Sequence, residues 1–203
     1  MQITNPAIQN KALLRSEMRR RRRGLGKTQQ YHAAQNLCRN LCRHSALWRA
    51  QHIACYLPFD GEIDTAPIIA ELLRRKKKVY LPTLHGKRLR FARYNHSSAM
   101  QRNRFNISEP RADGEQLKPW AVQLIMLPLV AFDAKGRRLG MGAGFYDRTL
   151  AFSRYLPKLR KPVLMGLAHQ SQQAAALASE EWDIDLDWVV TDDEALRCKS
   201  NRA

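Results

Sequence analysis

The sequence lacks a hydrophobic run long enough to span a membrane. Its longest apolar stretch, AVQLIMLPLVAF at residues 121–132, contains a glutamine, whereas a spanning helix needs about 20 apolar residues. The opening residues, MQITNPAIQN, contain no apolar core of the kind that marks a secretory signal. We therefore expect a cytoplasmic protein that does not enter a membrane.

Cysteine is scarce and is not arranged for a metal. The four cysteines are Cys38, Cys42, Cys55 and Cys198. Cys38 and Cys42 lie one helical turn apart, but no second CxxC or histidine pair completes a zinc site. Free cysteines are commonly buried, so we expect reduced, buried thiols.

Acidic residues are few, and the balance of charge is strongly basic. The chain has 18 Asp and Glu against 35 Lys and Arg, a net charge of +17. Such a field attracts polyanions, including nucleic acid, nucleotide phosphates and ligands that carry glutamate. The runs RRRRR (19–23) and RRKKK (74–78) are typical of solvated helix ends or of a nucleic-acid surface. No RNA-recognition, KH or zinc-finger signature accompanies them. Because of the basic runs, a basic RNA-associated protein is kept as the alternative function.

The chain does contain regularly alternating strand and helix patterns. Apolar residues recur at helical spacing in three segments. The first covers 11–23, the second follows a possible cap at Thr28, and the third covers 66–77, where Asp64 and Pro67 mark the start. Strands are predicted at 52–58, 78–82, 88–94, 123–132, 162–168 and 186–192. This order indicates a three-layer α/β fold, a mostly parallel sheet flanked by helices on both faces. No repeat or linker divides residues 1–203, so we expect one domain.

One glycine motif can be set aside. GLGKT at residues 24–28 resembles the end of a Walker phosphate loop. That loop requires an earlier glycine, where this chain has Arg21, and a preceding strand, where it has a basic helix. We read the segment as a helix end followed by the start of the next helix.

A second glycine motif, GMGAG at residues 140–144, is followed by aromatic residues and Asp147. Its GxGxG spacing differs from the GxGxxG fingerprint of NAD-binding folds. Small residues at a helix start let backbone N–H groups approach a phosphate. Asp147 would favour the positive helix end, and a carboxylate beside phosphates is also where Mg²⁺ binds. Spacing alone leaves a phosphate cradle, a tight turn and a hinge open.

The motif belongs to a longer run, LPLVAFDAKGRRLGMGAGFYDR, that resembles the signature of the 5-formyltetrahydrofolate cyclo-ligase family. Other segments resemble that family in the same order along the chain: KALLR (11–15), YLPFDGEIDT (56–65), RFNISEP (104–110) and DIDLDWVVTD (183–192). Three positions depart from the pattern. Phe145 replaces a tyrosine, Asn106 stands where glycine is usual, and Met141 stands where the family often has arginine.

The resemblance implies an ATP-dependent ring closure that converts 5-formyltetrahydrofolate to 5,10-methenyltetrahydrofolate with release of ADP and phosphate. The γ-phosphoryl group would activate the formyl oxygen, and a neighbouring folate nitrogen would then displace phosphate. Phosphoryl transfer of this kind depends mainly on positioning and on cations.

The resemblance also implies which residues bind ATP. Lys11 and Arg15 lie one helical turn apart and can face one anion. The remaining ATP-binding residues are implied to be Arg138, Leu139, Gly140, Met141, Gly142, Ala143, Gly144, Phe145 and Tyr146.

Metal and folate ligands follow from the same resemblance. Asp147 and Asp187 are implied to hold Mg²⁺, which would enter with ATP as co-substrate. Leu57 and Glu62 are implied to contact the folate, with Glu62 accepting hydrogen bonds from the amino-pterin ring. We expect a monomer whose partners are ATP and 5-formyltetrahydrofolate, including polyglutamylated forms, and we do not favour nucleic acid.

Overall fold

The computed structural model of the chain describes residues 11–111, 113–157 and 160–198. Its helices are α1 (Lys11–Arg23), α2 (Lys27–Cys42), α3 (Ser45–Arg49), α4 (Ala66–Arg74) and α5 (Phe145–Leu150). Its strands are β1 (His52–Ala54), β2 (Lys78–His85), β3 (Arg88–Tyr94), β4 (Met100–Arg102), β5 (Ser108–Pro110), β6 (Gln116–Leu117), β7 (Leu124–Pro128), β8 (Ala131–Phe132), β9 (Arg138–Leu139), β10 (Val163–Ala168), β11 (Trp188–Thr191) and β12 (Ala195–Arg197). Short 3₁₀ turns occupy Pro119–Ala121, Ala151–Tyr155 and Gln170–Gln172.

Eight of these strands form one central sheet in the order β12-β11-β10-β7-β1-β2-β3-β6. The five strands from β11 to β2 pair in parallel. The strands at both edges, β12 on one side and β3 with β6 on the other, pair antiparallel. The mostly parallel sheet predicted from the sequence is confirmed.

Alternate residues of the central strands face opposite layers. In β7, Leu124 and Met126 belong to a core cluster shared with α2, α3 and α4. Ile125 and Leu127 belong to a second cluster, to which α5 contributes Leu150. Burial of both faces explains why this strand is apolar at successive positions rather than at every second one. The three-layer α/β prediction is therefore confirmed.

The helix α1 lies outside this layering and packs near the carboxyl ends of the parallel strands. Its buried Leu14 and Met18 cluster with Val130, Ala131 and Leu139 of the segment that forms the β8–β9 pair. The basic helix thereby lies beside the glycine motif, which follows β9 directly.

Helix starts follow the sequence signals with one exception. Asp64 Oδ1 accepts a hydrogen bond from the Ala66 N–H at 2.8 Å, and Pro67 lies in the first turn of α4. The predicted cap at Thr28 is wrong, because α2 begins at Lys27 and Gly26 is its N-cap residue. The Gln29 side chain accepts the Gly26 N–H at 2.9 Å, so that donor is satisfied without a hydroxyl cap.

Other differences concern the lengths of elements. The predicted strand 52–58 ends at Ala54, and the predicted helix 66–77 ends at Arg74. Within the described part of the chain, all four cysteines are free thiols; Cys55 and Cys198 are buried, and the other two are partly buried. No helix among the residues that the structure describes is long and apolar enough to cross a membrane.

Candidate functional site

A cavity of about 810 Å³ lies at the carboxyl ends of three parallel strands. Leu57 follows β1, Pro82 lies in β2, and Leu129 follows β7, and all three line it. Parallel sheets place ligand sites at this edge because the loops that follow the strands converge there. The cavity size falls within the range of small-molecule sites, about 300–1,000 Å³.

One wall of the cavity is the glycine loop, residues 140–144. Gly142 and Gly144 have φ of 97° and 63°, a backbone region that other residues rarely adopt. Gly144 is the N-cap residue of α5, and a Cβ there would lie 2.7 Å from Arg148 Nη1. Gly140 has no such constraint, because nothing lies within 4 Å of a Cβ built on it. Met141, at 45% exposure, also lines the cavity.

Lys11 and Arg15 of α1 line the same cavity. Arg15 Nε donates a hydrogen bond to the Gly140 carbonyl at 2.9 Å, so the helix and the glycine loop are directly joined. Lys11 Nζ lies 3.1 Å from Glu180 Oε1 and 3.9 Å from Asp183 Oδ2. The structure therefore brings both predicted cations to the cavity. Arg15 contacts the glycine loop, and Lys11 pairs with the carboxylates of Glu180 and Asp183.

Asp147 lies in the first turn of α5 and lines the cavity. Its Oδ1 accepts from Arg138 Nη2 at 2.6 Å and from the Ile184 N–H at 3.3 Å. Arg138 also donates to the Ile184 carbonyl, which fixes the guanidinium between the two segments. Both of these hydrogen bonds are accepted by Oδ1 of the carboxylate. An oxygen donor beside the glycine loop fits Mg²⁺ that would enter with a nucleotide, because this ion keeps waters and needs few protein ligands.

Asp187 is not brought to this cavity. It precedes β11, and its Oδ2 accepts a hydrogen bond from the Leu164 N–H at 2.8 Å, near the start of β10. This is the amino-terminal edge of the parallel strands, whereas the cavity lies at the carboxyl edge. Asp147 and Asp187 therefore do not form a joint metal site here, and no group of three or more potential metal ligands occurs among residues 11–111, 113–157 and 160–198.

The opposite wall is the 57–62 loop, which carries both predicted folate contacts. Leu57 packs against the core and lines the cavity. The Glu62 side chain is 10% exposed, and its Oε2 accepts the Phe59 N–H at 3.1 Å. Burial raises the pKa of Glu62 to about 7, against the lowering effects of the Arg22 guanidinium and the Phe59 N–H. Near neutral pH this carboxyl group can therefore exist in either protonation state.

Two tyrosines lie near Glu62, of which Tyr56 is buried and Tyr146 is partly buried. Burial raises the pKa of both Tyr56 and Tyr146, and the negative charge of Glu62 raises each further. Tyr146, at the start of α5, and Glu62, in the 57–62 loop, both line the cavity. The two walls predicted to bind different ligands face a single cavity.

Aromatic and cationic side chains form the rim, and among them the sequence analysis gave a role only to Phe145. The rings of Phe105 and Phe145 meet edge to face with centroids 5.7 Å apart. Arg104 lies over the Phe105 ring at 5.0 Å, and Arg148 lies over Phe145 at 5.5 Å. Asn106, in the turn between β4 and β5, has φ of 60°. This left-handed backbone explains how asparagine replaces the glycine usual at that position, since asparagine tolerates it better than most residues.

The arginine run also contributes to the site, which the sequence analysis missed. Arg19 Nε and Arg22 Nη2 contact Asp60 Oδ2 at 2.7 and 2.9 Å, and Arg23 contacts Oδ1. Burial alone would raise the pKa of Asp60, but hydrogen bonds from these arginines lower it to about 2. Three of the five arginines of the run 19–23 therefore contact Asp60, in the 57–62 loop that lines the cavity. The signal in the sequence was their i, i+3, i+4 spacing, which places them on one side of a helix.

Comparison with known proteins agrees with this architecture. The profile of the 5-formyltetrahydrofolate cyclo-ligase family matches residues 7–192. A 5-formyltetrahydrofolate cyclo-ligase of Escherichia coli (strain K12) is 41% identical over 178 residues, which cover 86% of this chain and 96% of that protein. One from Haemophilus influenzae is also 41% identical, over 182 residues that cover 88% and 95% of the two chains.

Solved structures are similar across the same length. The structure of 5,10-methenyltetrahydrofolate synthetase from Aquifex aeolicus superposes with a TM-score of 0.81 at 30% identity and covers 96% of both chains. The synthetase from Mycoplasma pneumoniae has a TM-score of 0.71 at 21% identity and covers 91% of this chain and 99% of its own. The second likeness supports the fold alone.

Proposed function

The chain belongs to the 5-formyltetrahydrofolate cyclo-ligase family, and from that premise we propose that it closes the ring of 5-formyltetrahydrofolate in a reaction driven by MgATP. Family membership confirms the resemblance seen in the sequence, and with it a folate-dependent ligase activity. The alternative of a basic RNA-associated protein is not supported. What we propose beyond family membership is that the reaction uses ATP and Mg²⁺ and that named residues of the cavity bind them and the folate.

The observation that carries the proposal is the pairing of two unlike walls in one cavity. The glycine loop, Lys11 and Arg15 form a wall suited to phosphates, and Glu62 lies in the facing wall. A reaction that transfers a phosphoryl group to a folate needs both ligands in contact within a single enclosed space.

ATP binds at the glycine loop in this proposal. Backbone N–H groups of the loop and the start of α5 would donate to phosphate oxygens. Arg15 already contacts Gly140, and Lys11 would exchange its contacts with Glu180 and Asp183 for the more negative phosphates. Asp147 would hold Mg²⁺, which supplies positive charge that offsets the charge of the phosphates.

The folate binds at the 57–62 loop. An ionised Glu62 accepts hydrogen bonds from N–H groups of the pterin, and hydrogen bonds to a charged acceptor are worth about 1.5–3 kcal/mol each. Leu57 supplies apolar contact. Phe105 and Phe145 at the rim offer flat faces to either ring system.

The chemistry then follows in two stages. The formyl oxygen attacks the γ-phosphorus as the N5 lone pair moves into the C–N bond, and the bond from phosphorus to the β-bridging oxygen breaks to release ADP. N10 next attacks the formyl carbon and loses its proton, and the C–O bond breaks with departure of phosphate. The chain's part is to align the formyl oxygen with the γ-phosphorus and to exclude water from the activated intermediate.

The test is a spectrophotometric assay of the purified protein. Methenyl-folate absorbance should appear only when 5-formyltetrahydrofolate, ATP and Mg²⁺ are all present, with one phosphate released for each ring closed. Omission of each component in turn, and chelation of the metal, serve as controls. Folded protein that gives no signal would refute the proposal, and a signal without ATP would refute its phosphoryl-transfer step.

Several finer expectations from the sequence stay predictions. These are the monomeric state, the cytoplasmic location, a single domain over 1–203 and the binding of polyglutamylated folate. The metal role that the resemblance implies for Asp187 is not part of the proposal, because Asp187 lies at the opposite edge of the parallel strands from the cavity.

A further inference from the structure

Arg22 is the most deeply buried cation near the site, with no exposed surface. It lies in the last turn of α1, in a run that would be expected to be solvated. Its Nε donates to the Asp60 carbonyl at 2.8 Å, and Nη2 lies 2.9 Å from Asp60 Oδ2. The same guanidinium reaches Leu129, whose carbonyl accepts from Nη1 at 3.2 Å.

Two further contacts connect Arg22 to both walls of the cavity. Nη2 lies 3.9 Å from Met141 Sδ in the glycine loop and 3.8 Å from Glu62 Oε1. One planar group therefore touches the 57–62 loop, the end of β7 and the glycine loop. The contacts to the 57–62 loop are the shortest, whereas the thioether of Met141 is a weak acceptor.

The tip of the 57–62 loop is shaped to fit this helix. Asp60 and Gly61 have φ of 57° and 74°, two successive residues in the left-handed region. A Cβ on Gly61 would lie 3.2 Å from the Arg22 carbonyl, so the loop backbone rests directly on the helix backbone. The Gln30 side chain donates to both the Arg22 and Gly61 carbonyls, at 3.2 and 3.4 Å.

A buried ion pair of this kind is rarely the most stabilising choice, because desolvation of the charges opposes their attraction. Apolar residues of similar size often stabilise a fold as well or better. What the guanidinium adds is geometry, since five N–H donors in a rigid plane fix the directions of several partners at once. The arrangement is better explained by the need to place a loop accurately than by stability.

We propose that Arg22 is a positioning residue for the folate side of the reaction, which holds Glu62 at the pterin by fixing the 57–62 loop against α1 and the end of β7. This inference rests on the proposed function. It distinguishes Arg22 from its neighbours in the run, which lie closer to the surface and contact fewer segments.

The experiment compares Arg22→Met and Arg22→Lys with the wild type by kcat, by the two KM values and by thermal unfolding. Arg22→Met should raise the KM for 5-formyltetrahydrofolate by about tenfold or more, because the loop loses its charged hydrogen bonds. The KM for MgATP should change by less than about threefold, since only the weak Met141 contact is lost on that side. Arg22→Lys should give a smaller rise, because an ammonium cannot span the same partners.

Arg21→Gln is the matched control. Arg21 lies in the same run, is exposed, and pairs with Glu17 on the surface of α1. Loss of an exposed ion pair is worth about 0–1 kcal/mol, so both KM values should stay within about threefold of the wild type.

Equal rises in both KM values, or folded Arg22→Lys protein with the wild-type KM for folate, would overturn the inference. If Arg22→Met does not fold, Arg22→Lys alone decides. A wild-type protein without turnover would instead count against the proposed function. In that case calorimetric binding of 5-formyltetrahydrofolate to the wild type and to Arg22→Lys still decides the role of Arg22.

Discussion

At the scale of single residues, the structure separates two aspartates that the sequence treated alike. Asp147 lines the cavity and contacts Arg138, whereas Asp187 accepts a hydrogen bond from the Leu164 N–H at the amino-terminal ends of the strands. The distinction depends on which end of a strand each residue occupies. The sequence places Asp147 at a helix start and Asp187 in the predicted strand 186–192, but it does not show which of the two faces the cavity.

We predict that the two matched variants Asp147→Asn and Asp187→Asn have different effects. Asp147→Asn should lower kcat/KM for MgATP by at least about 10-fold, since loss of a charged ligand weakens metal binding. The amide oxygen can still accept from Arg138, so the fold should persist. Asp187→Asn should cost less than about 1.5 kcal/mol of stability through the weakened bond to Leu164 and leave turnover near the wild-type level.

Titration of activity with Mg²⁺, together with thermal unfolding, checks both variants. A large rise in the Mg²⁺ requirement of Asp187→Asn would place that residue at the metal, as its sequence context suggests. Unchanged kinetics in Asp147→Asn would remove Asp147 from it.

At the scale of elements, most helices and the main strands were predictable because each has its own periodicity. β3 matches its predicted range, and α1 does as well. The β4–β5 hairpin and the β8–β9 pair were not predicted, because their strands have only two or three residues. Such short pairs form through tertiary contacts and carry too few side chains to show a pattern.

The glycine loop gives a prediction at this scale. Gly144→Ala should destabilise the protein by about 1–3 kcal/mol, because alanine is strained at positive φ and its Cβ would meet Arg148. Gly140→Ala should change stability by less than about 0.5 kcal/mol, because no atom lies within 4 Å of a Cβ built at that position. Unfolding in urea measures both differences.

Gly140→Ala should nevertheless raise the KM for MgATP. No contact within the described residues requires a glycine at 140, so the reason for it is expected to be close approach of the backbone to a phosphate. A stable variant with the wild-type KM for MgATP would show that the ligand does not approach this position.

At the scale of the whole molecule, the structure accounts for two parts of the net charge of +17. One part is paired within the fold, since Arg19, Arg22 and Arg23 all contact Asp60, and Arg22 is fully buried. Another part lines the cavity, where Lys11, Arg15 and Arg138 face the site of the proposed ligands. These ligands, ATP and a folate with its glutamate carboxylates, are both anions, and a positive field raises the local concentration of such ligands. The charge at the cavity is therefore accounted for by the architecture and by the proposed substrates.

The same charges set how stability depends on pH, and here Asp60 and Glu62 act in opposite directions. The pKa of Asp60 is lowered to about 2, despite burial, by hydrogen bonds from its arginines. Its contribution to stability is therefore present above an ordinary pKa of 3.8 and is lost as pH falls toward 2. Burial raises the pKa of Glu62 from 4.5 to about 7. Folding therefore favours its protonated form, and stability falls as pH rises from 4.5 to 7.

We therefore predict that Glu62→Gln stabilises the protein more at pH 8 than at pH 5. A pKa raised from 4.5 to about 7 corresponds to about 3 kcal/mol, which is the upper limit of the expected difference. Urea unfolding of both proteins across this range isolates Glu62, because the other titrating groups are common to them and their effects largely cancel. A difference in stability that does not change with pH would mean that Glu62 ionises normally in the folded state. If Glu62→Gln is more stable at pH 8 as predicted but no longer binds folate, the buried carboxylate is retained for its ligand at a cost to the stability of the fold.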